Sequence, residues 1–255
     1  MSVVIAIKGK DCVYMGCDSQ VTIGSGKRTL KSVNNFKIWK VDGFPNCLMG
    51  GVGNFRDLCF LRCTPEIIPQ TCLLTNSLDY STVVTQIVPT IWQTLVAYGV
   101  YQDKPLVPDE NRGTGALGSQ FLIACGTNLY NIGADGTVEE IEDYIAIGSG
   151  DDLANGSLKT TEDSNLSPEE RIAAAIDAAS RGNAYVSNPI IVADTVSEGF
   201  SIYGEEVEQI SSDHLEEVVD VNNQDITSTK ESSSPKSNKG RNKKIKENKS
   251  KFANK

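Results

Sequence analysis

The sequence predicts an α+β sandwich, and three observations carry that prediction. Short apolar runs come in adjacent pairs at the start of the chain, helical periodicity is confined to separate blocks, and further strand-like runs follow the helices. A doubly wound parallel sheet would need strands and helices to alternate, and here they do not. The 255 residues exceed the ~100–200 usual for one domain without requiring two. One large domain over residues 1–210 with a tail over 211–255 fits the composition, which is 39% hydrophobic and 22% charged.

Taken in order, residues 2–7 and 11–17 are apolar runs joined by Lys8-Gly9-Lys10 and read as a hairpin. Chain ends usually fray, so a strand beginning at Ser2 predicts a terminus held in the structure. After the Gly/Ser/Lys-rich stretch 24–27, strands are expected over 35–41 and 46–51. The apolar residues Val83, Val84, Ile87, Val88, Ile91, Trp92, Leu95 and Val96 recur at helical spacing, predicting a helix over 81–98 with a kink at Pro89 and one face on a sheet. Residues 99–118 are rich in turn formers and read as a long loop. Three short runs at 120–125, 129–132 and 138–142, separated by glycine-containing turns, predict an antiparallel meander. Ser167-Pro-Glu-Glu170 has the residues of a capping box with proline at the first helical position, so a helix should run to about residue 180. Strands near 189–193 and 200–203 close the domain.

From about residue 211 the apolar content collapses, and such a segment buries too little surface to offset its ordering entropy. The net charge of −9 divides unevenly. Ten of the 24 basic residues and two of the 33 acidic ones lie from Ile226 onward, leaving 14 basic against 31 acidic in the first 225. The body is therefore strongly acidic and a poor match for nucleic acid. The basic tail admits either an acidic or nucleic-acid contact or a purely solubilising role. No run approaches the ~20 apolar residues of a membrane span, and the start has no basic-then-apolar signal pattern. A cytoplasmic protein is expected.

Seven cysteines (12, 17, 47, 59, 63, 72 and 125) form an odd set without a C-x-x-C pair, and there is one histidine. Reduced, mostly buried thiols are expected rather than a disulfide framework or a zinc site. His214 falls where the domain ends, so a serine or cysteine nucleophile has no histidine base. The stretch 23–29 has a glycine-lysine flavour, but Val21 occupies the first glycine position of a phosphate loop and Arg28 follows Lys27, so no nucleotide site is assigned. No cofactor and no metal are expected.

The chain start offers a different chemistry. Removal of Met1, favoured by a small second residue, leaves Ser2 with a hydroxyl and a free α-amine. An α-amine titrates near ~7.7–8.0, so it can accept the hydroxyl proton directly or through a water. Such a nucleophile needs a cation to keep the amine's pKa low, a carboxylate to orient that cation, and backbone donors for the oxyanion. Lys37, Asp18 and the glycine-rich Gly50-Gly-Val-Gly53 supply them in that order.

In these features the chain resembles the proteasome β-subunit and HslV-type peptidases, the amino-terminal-nucleophile hydrolases. Ser2 matches the family's amino-terminal threonine, and Gly16-Cys-Asp18-Ser-Gln20 is similar to the segment holding its aspartate. Phe36-Lys37-Ile38 resembles the strand with its lysine, and Gly51-Val-Gly53-Asn-Phe-Arg-Asp57 the glycine turn into its first helix. Asp143-Tyr-Ile-Ala-Ile-Gly-Ser-Gly150 resembles the HslV-type signature, and Arg181-Gly-Asn-Ala-Tyr-Val-Ser187 the proteasomal Arg-Asp-Ala-Tyr-Ser segment. The resemblance spans about residues 2–204. It implies a four-layer αββα sandwich with two antiparallel sheets between helices, as in proteasome-like Ntn-hydrolases. It also implies catalytic roles for Ser2, Asp18, Lys37, Gly53 and Ser149, polypeptide substrates, a homo-oligomeric ring and, from the HslV-like features, a ring ATPase partner. Two positions depart from the pattern: serine stands where threonine is usual, and Asn183 where proteasomes carry an aspartate. A non-catalytic structural or assembly subunit and a small-substrate amidase remain as alternatives, since a fold does not by itself define an activity.

Overall fold

A computed structural model describes residues 2–64, 67–70, 72, 78–98 and 117–204. The predicted tail over 211–255 and nearly all of the predicted loop at 99–118 lie outside the described residues. The elements in chain order are strands β1 (Val3–Lys8), β2 (Val13–Asp18), β3 (Gln20–Ile23), β4 (Gly26–Thr29), β5 (Ile38–Val41) and β6 (Phe44–Gly53), then helix α1 (Phe55–Arg62) and helix α2 (Val88–Ala97). They continue with β7 (Ser119–Cys125), β8 (Asn128–Ile132), β9 (Val138–Glu140), β10 (Tyr144–Gly148), helices α3 (Asp151–Thr160) and α4 (Pro168–Gly182), β11 (Ile190–Asp194) and β12 (Ser201–Tyr203).

The strands form two five-stranded antiparallel sheets, one in the order β10-β1-β2-β11-β12 and the other β5-β6-β7-β8-β9, while β3 and β4 make a separate hairpin. Three apolar clusters account for the layering. Val4, Ala6, Met15 and Cys17 of the first sheet meet Ile38, Leu48 and Leu122 of the second. Val3, Ile5 and Ile7, on the opposite face of β1, pack with Leu158 of α3 and Ile172, Ile176 and Ala179 of α4. Met49, Phe121 and Ile123 pack with Leu58 and Leu61 of α1 and Ile91 and Leu95 of α2. Helices, sheet, sheet, helices is the αββα sandwich anticipated from the resemblance. Burial on both faces explains why β1 reads as an unbroken apolar run rather than an alternating one. The helices come close: a Cβ on Gly16 of β2 would collide with the Ile172 side chain of α4.

The amino-terminal hairpin, the meander and the capping box stand where the sequence puts them. Ser167 Oγ accepts from the Glu170 N–H, and the Glu170 carboxylate accepts from the Ser167 N–H. The helix at 81–98 differs in detail. A single turn Tyr80–Thr82 leads into a π-helical stretch, Val83–Ile87, and then into α2. The Val88 N–H donates to the Val83 carbonyl five residues back. Pro89 lacks an N–H and its ring crowds the carbonyl four residues earlier, so the widened ladder sits immediately before it.

One expectation is corrected. Cys47 and Cys125 are bonded to each other, and Cys59 and Cys63 are exposed, whereas Cys12, Cys17 and Cys72 are free and buried. Cys47 and Cys125 are 78 residues apart, and only the pairing of β6 with β7 sets them directly opposite.

Candidate active site

Ser2 precedes β1 and is 6% exposed, so residue 2 is packed into the fold. The anchor is Asp18, at the end of the neighbouring strand and completely buried. Its Oδ1 accepts from the Val3 N–H at 3.0 Å and from Lys37 Nζ at 2.6 Å, and its Oδ2 accepts from the Gln20 N–H at 3.0 Å. The carboxylate therefore ties the backbone next to Ser2 to a cation from the opposite sheet.

Lys37 directly precedes β5 and is 2% exposed. A buried ammonium is tolerated only when paired and hydrogen-bonded. Its own backbone is fixed by the Gly51 N–H, which donates to the Lys37 carbonyl at 3.0 Å. The approach to Lys37 is held from α1, because the Arg62 guanidinium donates to the carbonyls of Asn34 and Phe36 and lies over the Trp39 ring, 5.2 Å from its centroid. Beside the pair, the Cys17 thiol is pushed up to about 12, first by burial, with Lys37 pulling it down and Asp18 adding to the rise. Burial, more than the carboxylate, keeps this thiol neutral.

Gly53 ends β6 with φ +116°, a backbone that side chains rarely adopt, and a Cβ there would fall 2.5 Å from the Gly118 carbonyl and 2.7 Å from Ser119 Cα. The turn must be glycine on both counts. Ser2 and Gly53 border two clefts. One, of about 270 Å³, also takes in Lys37, Val21, Ile23 and Phe55. The other, of about 260 Å³, takes in Gly148, Ser149, Gly118 and Ser119. Ser2 thus borders both spaces, together with Val52 and Gly53.

Ser149 follows β10, whose Gly148 pairs with Val3. Its hydroxyl donates to the Ser2 carbonyl at 3.4 Å, so the contact with residue 2 runs through the backbone. Asn183 Nδ2 donates to the Ser149 carbonyl, and Asn183 Oδ1 accepts from the Tyr185 N–H at 2.9 Å. Residues 184 and 187 in turn receive hydrogen bonds from Gln20 Nε2 at 3.1 Å and the Ser19 N–H at 3.2 Å. All five sequence-derived positions, 2, 18, 37, 53 and 149, therefore gather around one point. Among the described residues no group of three or more His, Cys, Asp or Glu side chains is arranged to hold a metal ion.

The sequence reading missed the walls and the support. Val21 and Ile23, in the first cleft, belong to the β3–β4 hairpin, whose tip alone stood out as a loop. Asp57 and Ser119, both buried and hydrogen-bonded at 2.8 Å, are 62 residues apart. Asp57 carries a weak local signal as an acid in the first turn of α1, and Ser119 carries none.

No protein-family model and no curated protein matches the chain. Solved structures do. The chain is similar to Thiobacillus denitrificans BPH in complex with epoxomicin, at 19% identity and a TM-score of 0.55, covering 75% of this chain and 97% of that one. A second structure of Thiobacillus denitrificans BPH gives 20% identity and a TM-score of 0.54, covering 75% and 96%. The eukaryotic HslV from Trypanosoma brucei gives 16% identity and a TM-score of 0.50, covering 75% and 98%. The chain has the α+β fold of these three structures.

Proposed function

We propose that this protein is an amino-terminal serine peptidase of the proteasome/HslV type. The observation that carries the proposal is the buried Lys37–Asp18 pair, whose carboxylate also holds the Val3 N–H next to Ser2. In this reading Met1 is removed and the Ser2 amine becomes the base. Ser2 Oγ attacks the scissile carbonyl carbon while its proton passes to the α-amine, and Gly53 N–H donates to the developing oxyanion. As the C–N bond breaks, the α-ammonium returns the proton to the leaving amine. A water then gives a proton to the α-amine and attacks the ester on Ser2, releasing the carboxylic product and restoring the hydroxyl. Lys37 disfavours protonation of the amine through its positive charge, and Asp18 keeps Lys37 in place. Ser149 steadies the Ser2 backbone and relays protons near the amine.

The similarity to HslV-type structures supports a ring of identical subunits, with polypeptide substrates entering an enclosed space and a ring ATPase feeding it. No helix among the described residues is long and apolar enough to cross a membrane, and the proposal locates the protein in the cytoplasm.

The test is hydrolysis of a panel of short fluorogenic peptides by wild type, Ser2→Ala and Lys37→Ala. Activity in wild type with losses of at least about 10³-fold in both variants supports the proposal. Equal rates in all three exclude it.

A further inference from the structure

The Gly53 turn is held by a chain of polar contacts that none of the expected catalytic residues supplies. Asp57, in the first turn of α1, is 0% exposed, and Ser119, at the start of β7, is 2% exposed. Ser119 Oγ donates to Asp57 Oδ2 at 2.8 Å and accepts from the Asn54 N–H at 2.9 Å. The direction follows from the chemistry. A hydroxyl has one proton to give and an oxygen that accepts, so Ser119 can donate to Asp57 and receive the Asn54 N–H at once. An acidic residue at this place also suits the amino-terminal end of a helix.

The same serine is directly opposite Gly53 across the β6–β7 pair, with Val52 opposite Gln120. Gly53 is therefore flanked by two fixed peptides. The strand register holds the one before it, and the Asn54 N–H bond to Ser119 holds the one after it. The N–H of residue 53 belongs to the first of these peptides, and beside a glycine at φ +116° that peptide can turn about its own axis unless the chain on both sides of it is held. Asn54 completes the lock, since its side chain accepts from the Arg56 N–H at 3.2 Å and its carbonyl accepts from the Asp57 N–H at 3.0 Å.

We infer that Ser119 and Asp57 are positioning residues for the oxyanion donor: they clamp the Asn54 peptide and thereby aim the Gly53 N–H into the cleft beside Ser2. This rests on the peptidase reading above. Preorganised donors act on the transition state and barely on the ground state, so loosening them lowers kcat and leaves KM nearly unchanged.

The experiment pairs steady-state hydrolysis of a fluorogenic peptide with hydrogen exchange over residues 52–55, using the full chain in its native assembly. Ser119→Ala should lower kcat about 10- to 100-fold with KM within about twofold, and should speed exchange over 52–55 while β1 stays protected. Ser119→Thr, which keeps a hydroxyl, should restore both kcat and protection. If Ser119→Ala fails to fold, Asp57→Asn serves in its place with the same expected losses. Unchanged kcat and exchange in the alanine variant, or equal impairment in the threonine variant, overturn the inference while wild-type activity leaves the peptidase reading standing. A wild type with a free Ser2 amine but no hydrolysis removes the peptidase reading, and with it the oxyanion role. The exchange arm then tells separately whether Ser119 holds the turn.

Discussion

Asp18 concentrates several tasks in one carboxylate, because it anchors the Val3 backbone, pairs with Lys37 and receives the Gln20 N–H without any exposure to water. Its replacement is therefore far more disruptive than that of a surface acid. Asp18→Asn leaves the Lys37 ammonium buried without its counter-charge and should destabilise the fold by about 3–5 kcal/mol, measured by urea unfolding. A second residue-scale expectation follows from Cys17, whose thiol burial pushes up to about 12. In the unfolded chain a thiol ionises near ~8.5, so above that pH the unfolded state releases a proton that the native state retains, and stability falls as pH rises. Cys17→Ala should flatten the decline between about pH 8.5 and 12 in a series of denaturation midpoints. A slope identical to wild type would show that the thiol titrates normally in the fold. The sequence singled out Ser2, Asp18, Lys37, Gly53 and Ser149 through short motifs that resemble those of one family, so their being neighbours could be anticipated, while their catalytic roles belong to the proposal. Ser119 was not legible, because its relation to Asp57 exists only after β7 pairs with β6.

At the scale of elements, legibility followed burial pattern. The amino-terminal hairpin and the meander were readable as strands from runs of Val, Ile, Leu and Ala. Helix α4 was readable from its cap, and Ser167→Ala should lower stability by about 1 kcal/mol, visible as a drop in Tm, whereas an unchanged Tm would mean the cap is redundant. Helix α3 went unrecognised because it carries Asn155 and Gly156 at its centre and buries only Ala154 and Leu158. The β3–β4 hairpin was equally silent, since all four residues of β4 are exposed and offer no alternation. The π-helical stretch before α2 was foreshadowed only as a kink, because helical periodicity over five residues does not distinguish a widened turn from an ordinary one. The Cys47–Cys125 bond lay beyond reach for the reason that hid Ser119: strand order is not a local property.

Across the whole molecule, the candidate site is assembled from both sheets. Ser2 and Asp18 come from the first, Lys37 and Gly53 from the second, and Ser149 from the turn after β10. Their relative placement depends on the apolar layer between the sheets rather than on any one loop. Leu122, completely buried in that layer, gives a direct handle. Leu122→Ala should destabilise by about 2–5 kcal/mol and lower peptide hydrolysis by more than the unfolded fraction accounts for, because the sheets shift as the cavity relaxes. Full activity per folded molecule would show that the site tolerates such movement. The layered architecture was legible from the order of strand pairs and helical blocks together with the amino-terminal motifs. The two clefts that Ser2 borders were not, since they are formed by residues from β3, α1, β7 and the turn after β10, which meet only in the packed sandwich.

The central claim is that a bared Ser2 supplies both the attacking oxygen and the proton acceptor, and intact mass spectrometry of the protein purified from its native assembly tests it most directly. The mass predicted is that of a chain lacking Met1 with an unmodified Ser2 amine. A chain that keeps Met1, or whose Ser2 amine is blocked while peptides are still hydrolysed, would contradict it.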